Sequence, residues 1–82
     1  MGKREKLIVR LKTVPSDFTW QELAALLKSL GYQELQGSGS RVKFDNGNPD
    51  QMINLHKPHP GSIVKRYVLR QLIEKLTQGG MI

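Results

Sequence analysis

The stretch Gly37-Ser38-Gly39-Ser40-Arg41-Val42-Lys43-Phe44 decides how the rest of the chain is read. Four small residues lead straight into an alternation of basic and apolar side chains. In a strand, successive side chains point to opposite faces. With Val42 and Phe44 turned to a core, Arg41 and Lys43 turn to water or to a ligand. The stretch from Gln51 to His56 repeats the pattern, with Ile53 and Leu55 inward and Asn54 and His56 outward. Paired as neighbours, the two strands gather Arg41, Lys43, Asn54 and His56 on one cationic sheet face.

Between these strands, Asp45-Asn46-Gly47-Asn48-Pro49-Asp50 is dense in turn formers, and Asn46-Gly47 is a hairpin signal. Upstream, Gln33 to Gln36 is short and polar around Leu35 and reads as an edge strand. Before it stands a helix start. Thr19 is the N-cap, Glu22 completes a capping box, and Phe18 with Leu23 forms a hydrophobic staple. Leu23, Leu26, Leu27 and Leu30 make one apolar stripe, and Gly31 ends it. Downstream, the prolines of Lys57-Pro58-His59-Pro60-Gly61 exclude regular structure. Ser62 is a candidate cap, and a helical pattern runs from about Val64 through Leu69, Leu72, Ile73 and Leu76 to Gly79-Gly80. At the other end, Leu7, Ile8, Leu11 and Val14 have helical spacing, closed by Pro15. The chain thus divides into a helical extension, 1–15, and an α+β domain, 16–82, ordered α-β-β-β-α. The simplest packing lays both long helices on one face of a three-stranded antiparallel sheet and leaves the other face open.

Composition narrows the function classes. The 82 residues make one domain, with 13 Lys and Arg against 7 Asp and Glu, a net charge of +6. Lys3, Arg4, Lys6, Arg10 and Lys12 crowd the first segment, and the part after residue 40 is basic again. Such a chain suits a polyanionic partner such as nucleic acid. The absence of cysteine excludes a disulfide framework and a thiolate metal site. Two histidines do not make a zinc site, so no metal and no small-molecule cofactor are expected. No apolar run approaches a membrane span, and Arg10 interrupts the one short apolar stretch near the start. Cytoplasm is the expected compartment, with no membrane partner.

Chemistry must then come from few groups. His56 and His59 can move protons near neutrality, His56 at the end of the strand and His59 within the proline loop. Ser40, Arg41, Lys43, Asn54, Lys57, Lys65 and Arg66 are the candidate nucleic-acid contacts, Arg41 being able to grip a phosphate bidentately. The Gly-Ser turn lacks the Lys-Ser/Thr ending of a P-loop and reads as a plain turn. Trp20 and Tyr67 are aromatic groups that could stack on bases, Trp20 being better placed for packing. No Ser-His-Asp arrangement and no pair of carboxylates placed for acid–base work is legible.

Several short segments together resemble the HicA toxin family. They are Thr19-Trp20-Gln21-Glu22-Leu23 through Leu30-Gly31-Tyr32, Gly39-Ser40-Arg41-Val42-Lys43-Phe44, Leu55-His56-Lys57-Pro58-His59-Pro60-Gly61, and the helix from Lys65 to Leu76. The resemblance covers about residues 18 to 77. It implies a double-stranded-RNA-binding-domain-like fold and an mRNA interferase, an endoribonuclease that cleaves mRNA without a metal. It also implies a HicB-like antitoxin that covers the site. In that family a catalytic histidine follows a Gly-Ser pair at the start of the second strand. Here the pair is Gly39-Ser40 and the next residue is Arg41. A guanidinium stays protonated and cannot serve as a base, so the resemblance directs the proton transfer to His56 or His59. Without that transfer, the same fold is an RNA-binding or antitoxin-binding module.

Overall fold

A computed structural model describes residues 2–82. The elements are α1 (Lys3–Lys12), α2 (Trp20–Ser29), β1 (Gln33–Gln36), β2 (Arg41–Asp45), β3 (Ile53–His56) and α3 (Arg66–Gln78). The sheet is antiparallel throughout, in the order β1-β2-β3. This is the expected α+β order behind an N-terminal helix.

Both ends of α2 and the end of α3 have a local cause. The Thr19 hydroxyl accepts from the Glu22 N–H, and Glu22 Oε1 accepts from the Thr19 N–H, both at 3.1 Å. That closes the capping box at the start of α2. At its end, Gly31 (φ +95°) turns the chain so that Gly31 N–H reaches Lys28 O and Tyr32 N–H reaches Leu27 O. This is a Schellman motif. Gly80 (φ +73°) repeats it after α3, with Met81 N–H on Leu76 O.

The sheet's inner face carries Val42, Phe44 and Ile53, all buried. Phe44 meets the Trp20 ring of α2 at 5.8 Å and 49°. Leu23, Leu26 and Leu27 of α2 join Leu69, Leu72 and Leu76 of α3 in the same core. The extension is part of it too: Leu11 of α1 is fully buried. Arg10 fixes α1 in place, donating to both Glu22 carboxylate oxygens at 2.7 and 3.1 Å and to Asp17 at 3.1 Å. Its guanidinium also lies over the Phe18 ring, 5.4 Å from the centroid.

Two details depart from the sequence reading. The third strand starts at Ile53, not Gln51. Asn48 Oδ1 accepts from the Asp50 N–H and Pro49 supplies a fixed φ, so residues Pro49–Gln51 coil into a 3-10 turn. The last helix starts at Arg66, not near Val64, and Ser62 does not cap it. Residues 62–64 run extended instead. Trp20 N–H donates to Ser62 O at 2.6 Å, and Val64 N–H donates to Phe18 O at 2.8 Å. The register also sets the facing of β1, on which the sequence is silent, and puts Glu34 on the inner side. Leu35 is the register partner of Lys43 and so shares the outer face, while Glu34 points back to Lys28 of α2 at 3.4 Å.

Candidate functional site

The register of β2 and β3 assembles the outer face. Arg41 stands opposite His56, and Lys43 opposite Asn54. Directly opposed residues in an antiparallel pair have Cβ atoms only about 4.5–5.5 Å apart. All four side chains are exposed. The β1–β2 turn borders them. Gly37 N–H bonds Arg41 O at 2.8 Å, and Gly39 takes φ +64°, so Ser38, Gly39 and Ser40 form a tight loop. At Gly37 an added Cβ would stand 3.1 Å from the Arg41 Cβ, which is why a residue without one belongs there. Ser40 O accepts from the Lys57 N–H at 2.8 Å, which ties this loop to the end of β3.

Ser40 Oγ lies 3.4 Å from His56 Nδ1, an outer-limit contact whose direction depends on the imidazole tautomer. When Nδ1 carries the proton, Ser40 accepts it and Nε2 is left with a lone pair. That is the form a general base requires.

Two hollows flank His56. The first, about 480 Å³, is lined by Ser38, Arg41, Lys43, Asn54 and His56 with the Gly37 backbone among others. The second, about 520 Å³, lies between the β3 edge, the loop through Pro58 and Pro60, and the start of α3. Asn54, Leu55 and His56 belong to both linings and form the wall between them. His59, Lys57 and Lys65 line the second hollow, whereas Arg66 lines neither. The predicted site residues therefore form two adjoining groups rather than one.

The cations here are unspent. Arg10 and Lys28 are paired with carboxylates. Among the described residues, no carboxylate lies in salt-bridge range of Arg41, Lys43, Lys57, Lys65 or Arg66. The first turn of α3 contains no acid either. No three His, Cys, Asp or Glu side chains converge as a metal-ligand set among the described residues. No helix among them is long and apolar enough to cross a membrane.

Sequence reasoning missed the second hollow as a site. Ile63 and Tyr67, which help to line it, are 47% and 58% exposed. Exposed apolar bulk beside Lys65 and Arg66 was the available signal for it. Trp20 is 4% exposed and packs on Phe44, so it is closed to stacking on a base.

Residues 20–79 match the family described as HicA toxin of bacterial toxin-antitoxin. The chain belongs to the HicA toxin family. None of the curated proteins and none of the solved structures matches it. Membership in the HicA family carries its general function, a toxin of RNase type with an RNA target and an antitoxin partner. The match leaves out α1, although α1 is packed into the same core.

Proposed function

We propose that this HicA chain is an mRNA interferase that cleaves RNA without a metal and that a HicB-like antitoxin restrains by covering the open sheet face. RNA carries its own nucleophile, so the protein needs only a base, an acid and groups that stabilise charge. His56 Nε2 takes the proton of the 2′-hydroxyl as O2′ bonds to the adjacent phosphorus. The bond from phosphorus to O5′ breaks, and His59 returns a proton to the leaving oxygen. Arg41 and Lys43 stabilise the charge on the phosphorane oxygens, while Ser40 and Asn54 orient the phosphate. Lys57, Lys65 and Arg66 take flanking phosphates. The products are a 2′,3′-cyclic phosphate and a 5′-hydroxyl. The reaction belongs in the cytoplasm, where messenger RNA is met.

The observation that supports this reading most is the pairing of Arg41 with His56. The imidazole that the family resemblance expects after Gly39-Ser40 is supplied from the neighbouring strand, about 4.8 Å away on the same face. The test is cleavage of a labelled RNA in EDTA. Wild type is expected to cut RNA but not the matching DNA. His56→Ala is expected to lose about 10²–10⁴-fold in rate while still binding RNA. Full cleavage by His56→Ala would remove it as the base. A second reading rests on Arg41 itself, since a permanent cation at that position suits phosphate binding without catalysis. RNA binding by wild type with no cleavage under any of these conditions would select it.

A further inference from the structure

The second hollow is unlike the first. Its walls are largely apolar, from Leu55, Pro58, Pro60, Ile63 and Val68, and its open side presents the Tyr67 ring. Its polar groups include His56, His59, Lys57, Lys65, Gln71 and Asn54, and none of its lining residues is acidic. An apolar slot beside an exposed aromatic ring, rimmed by cations and bearing an amide, suits a flat, partly polar group attached to an anionic chain. A nucleobase is such a group. A base inside a duplex cannot enter, because it is stacked and paired.

We infer that this groove takes the unpaired base of a nucleotide whose phosphate lies on Arg41, Lys43 and His56, so that the chain selects single-stranded or looped RNA. The inference rests on the RNA-binding part of the proposed function. The shared wall carries it furthest. His56, Asn54 and Leu55 border both hollows, so a phosphate in one and its own base in the other sit on either side of His56. Tyr67 supplies the stacking face. The amide of Gln71, one helical turn on and in the same lining, can both donate to and accept from a base edge.

The test uses labelled single-stranded RNA of mixed sequence with 2′-fluoro sugars, which cannot supply the nucleophile, so that binding is read without cleavage. Tyr67→Ala is expected to weaken this binding roughly 5- to 100-fold, the effect of removing one base–aromatic stack. Tyr67→Trp is expected to restore it. Replacing nucleotides one at a time by abasic residues should reveal one position whose loss weakens wild type but adds nothing in Tyr67→Ala. A duplex of the same sequence should bind more weakly and be insensitive to Tyr67. Tyr67 is exposed at the start of a helix where alanine is well accepted, so the variant should keep its melting temperature. Unchanged RNA affinity in Tyr67→Ala overturns the inference. So does a Tyr67 effect seen equally on duplex, or one confined to binding of the antitoxin. If wild type binds no RNA at all, the failure lies in the proposed function instead.

Discussion

Arg10 and Arg41 show how differently one residue type is used in this molecule. Arg10 is committed to structure, joining α1 to the capping box of α2 through Glu22 and Asp17. Its hydrogen bonds are the main reason that the Glu22 carboxyl titrates below the usual carboxylate range. Burial opposes the shift, and the bonds from Thr19 add to it. The same contacts raise Arg10 above its ordinary value. A carboxylate held low in the folded state stabilises that state above its unfolded value, near 4.3 for glutamate, and the stabilisation is lost as pH falls through the folded value. Wild type should therefore lose stability as pH drops below about 4.3. Glu22→Gln should be less stable at neutral pH and show a flatter stability profile in that acid range. Urea unfolding at a series of pH values measures both. Parallel profiles for the two proteins would show that Glu22 does not carry this linkage. Among the described residues no carboxylate lies in salt-bridge range of Arg41, which the proposed function assigns to an RNA phosphate.

At the scale of elements, β2 and β3 act as a unit because their register puts every cation of β2 opposite a polar group of β3. Removing two of these cations should free the phosphates they neutralise. Arg41→Ala with Lys43→Ala is expected to bind RNA more weakly and with a shallower dependence of log K on log salt. On single strands the slope should fall by up to about 0.7 for each phosphate no longer neutralised. Titrations at several salt concentrations check this, and an unchanged slope would move RNA off the sheet face. This face was legible in the sequence because alternation in Arg41–Phe44 and Ile53–His56 is a local signal with a period of two. The start of α2 was equally legible, since Thr19, Glu22 and Gly31 form its caps within the segment itself. The start of α3 was not. Residues 62–64 are drawn into extended form by Phe18 and Trp20, partners far along the chain. Gln51 was misplaced because Asn48 and Pro49 win locally over strand alternation. The groove beside β3 escaped for the first of these reasons, as Ile63 faces it only when residues 62–64 are not helical.

Taken whole, the molecule sets its three helices behind the sheet's apolar side and leaves the cationic side to solvent. The two faces meet at the β3 edge, where the groove lies. That boundary is held by the antiparallel bridge between Thr19 and Ile63, with its flanking bonds from Trp20 and Val64. The bridge fastens the segment before α2 to the segment before α3, and everything that forms the sheet lies between them. Opening it requires pulling apart Phe18, Trp20 and Val64, all buried in the core. In amide hydrogen exchange, Trp20 opens α2, where first-turn amides lack an intrahelical partner, and Val64 lies between elements, so both would ordinarily be grouped with fast amides. They should instead exchange as slowly as Val42 and Phe44, through unfolding of the entire domain. Rapid exchange at Val64 beside slow exchange at Phe44 would mean that the groove wall breathes independently of the core. With the slow outcome, the groove keeps its shape before any ligand arrives, and association should not be rate-limited by rearrangement of the protein.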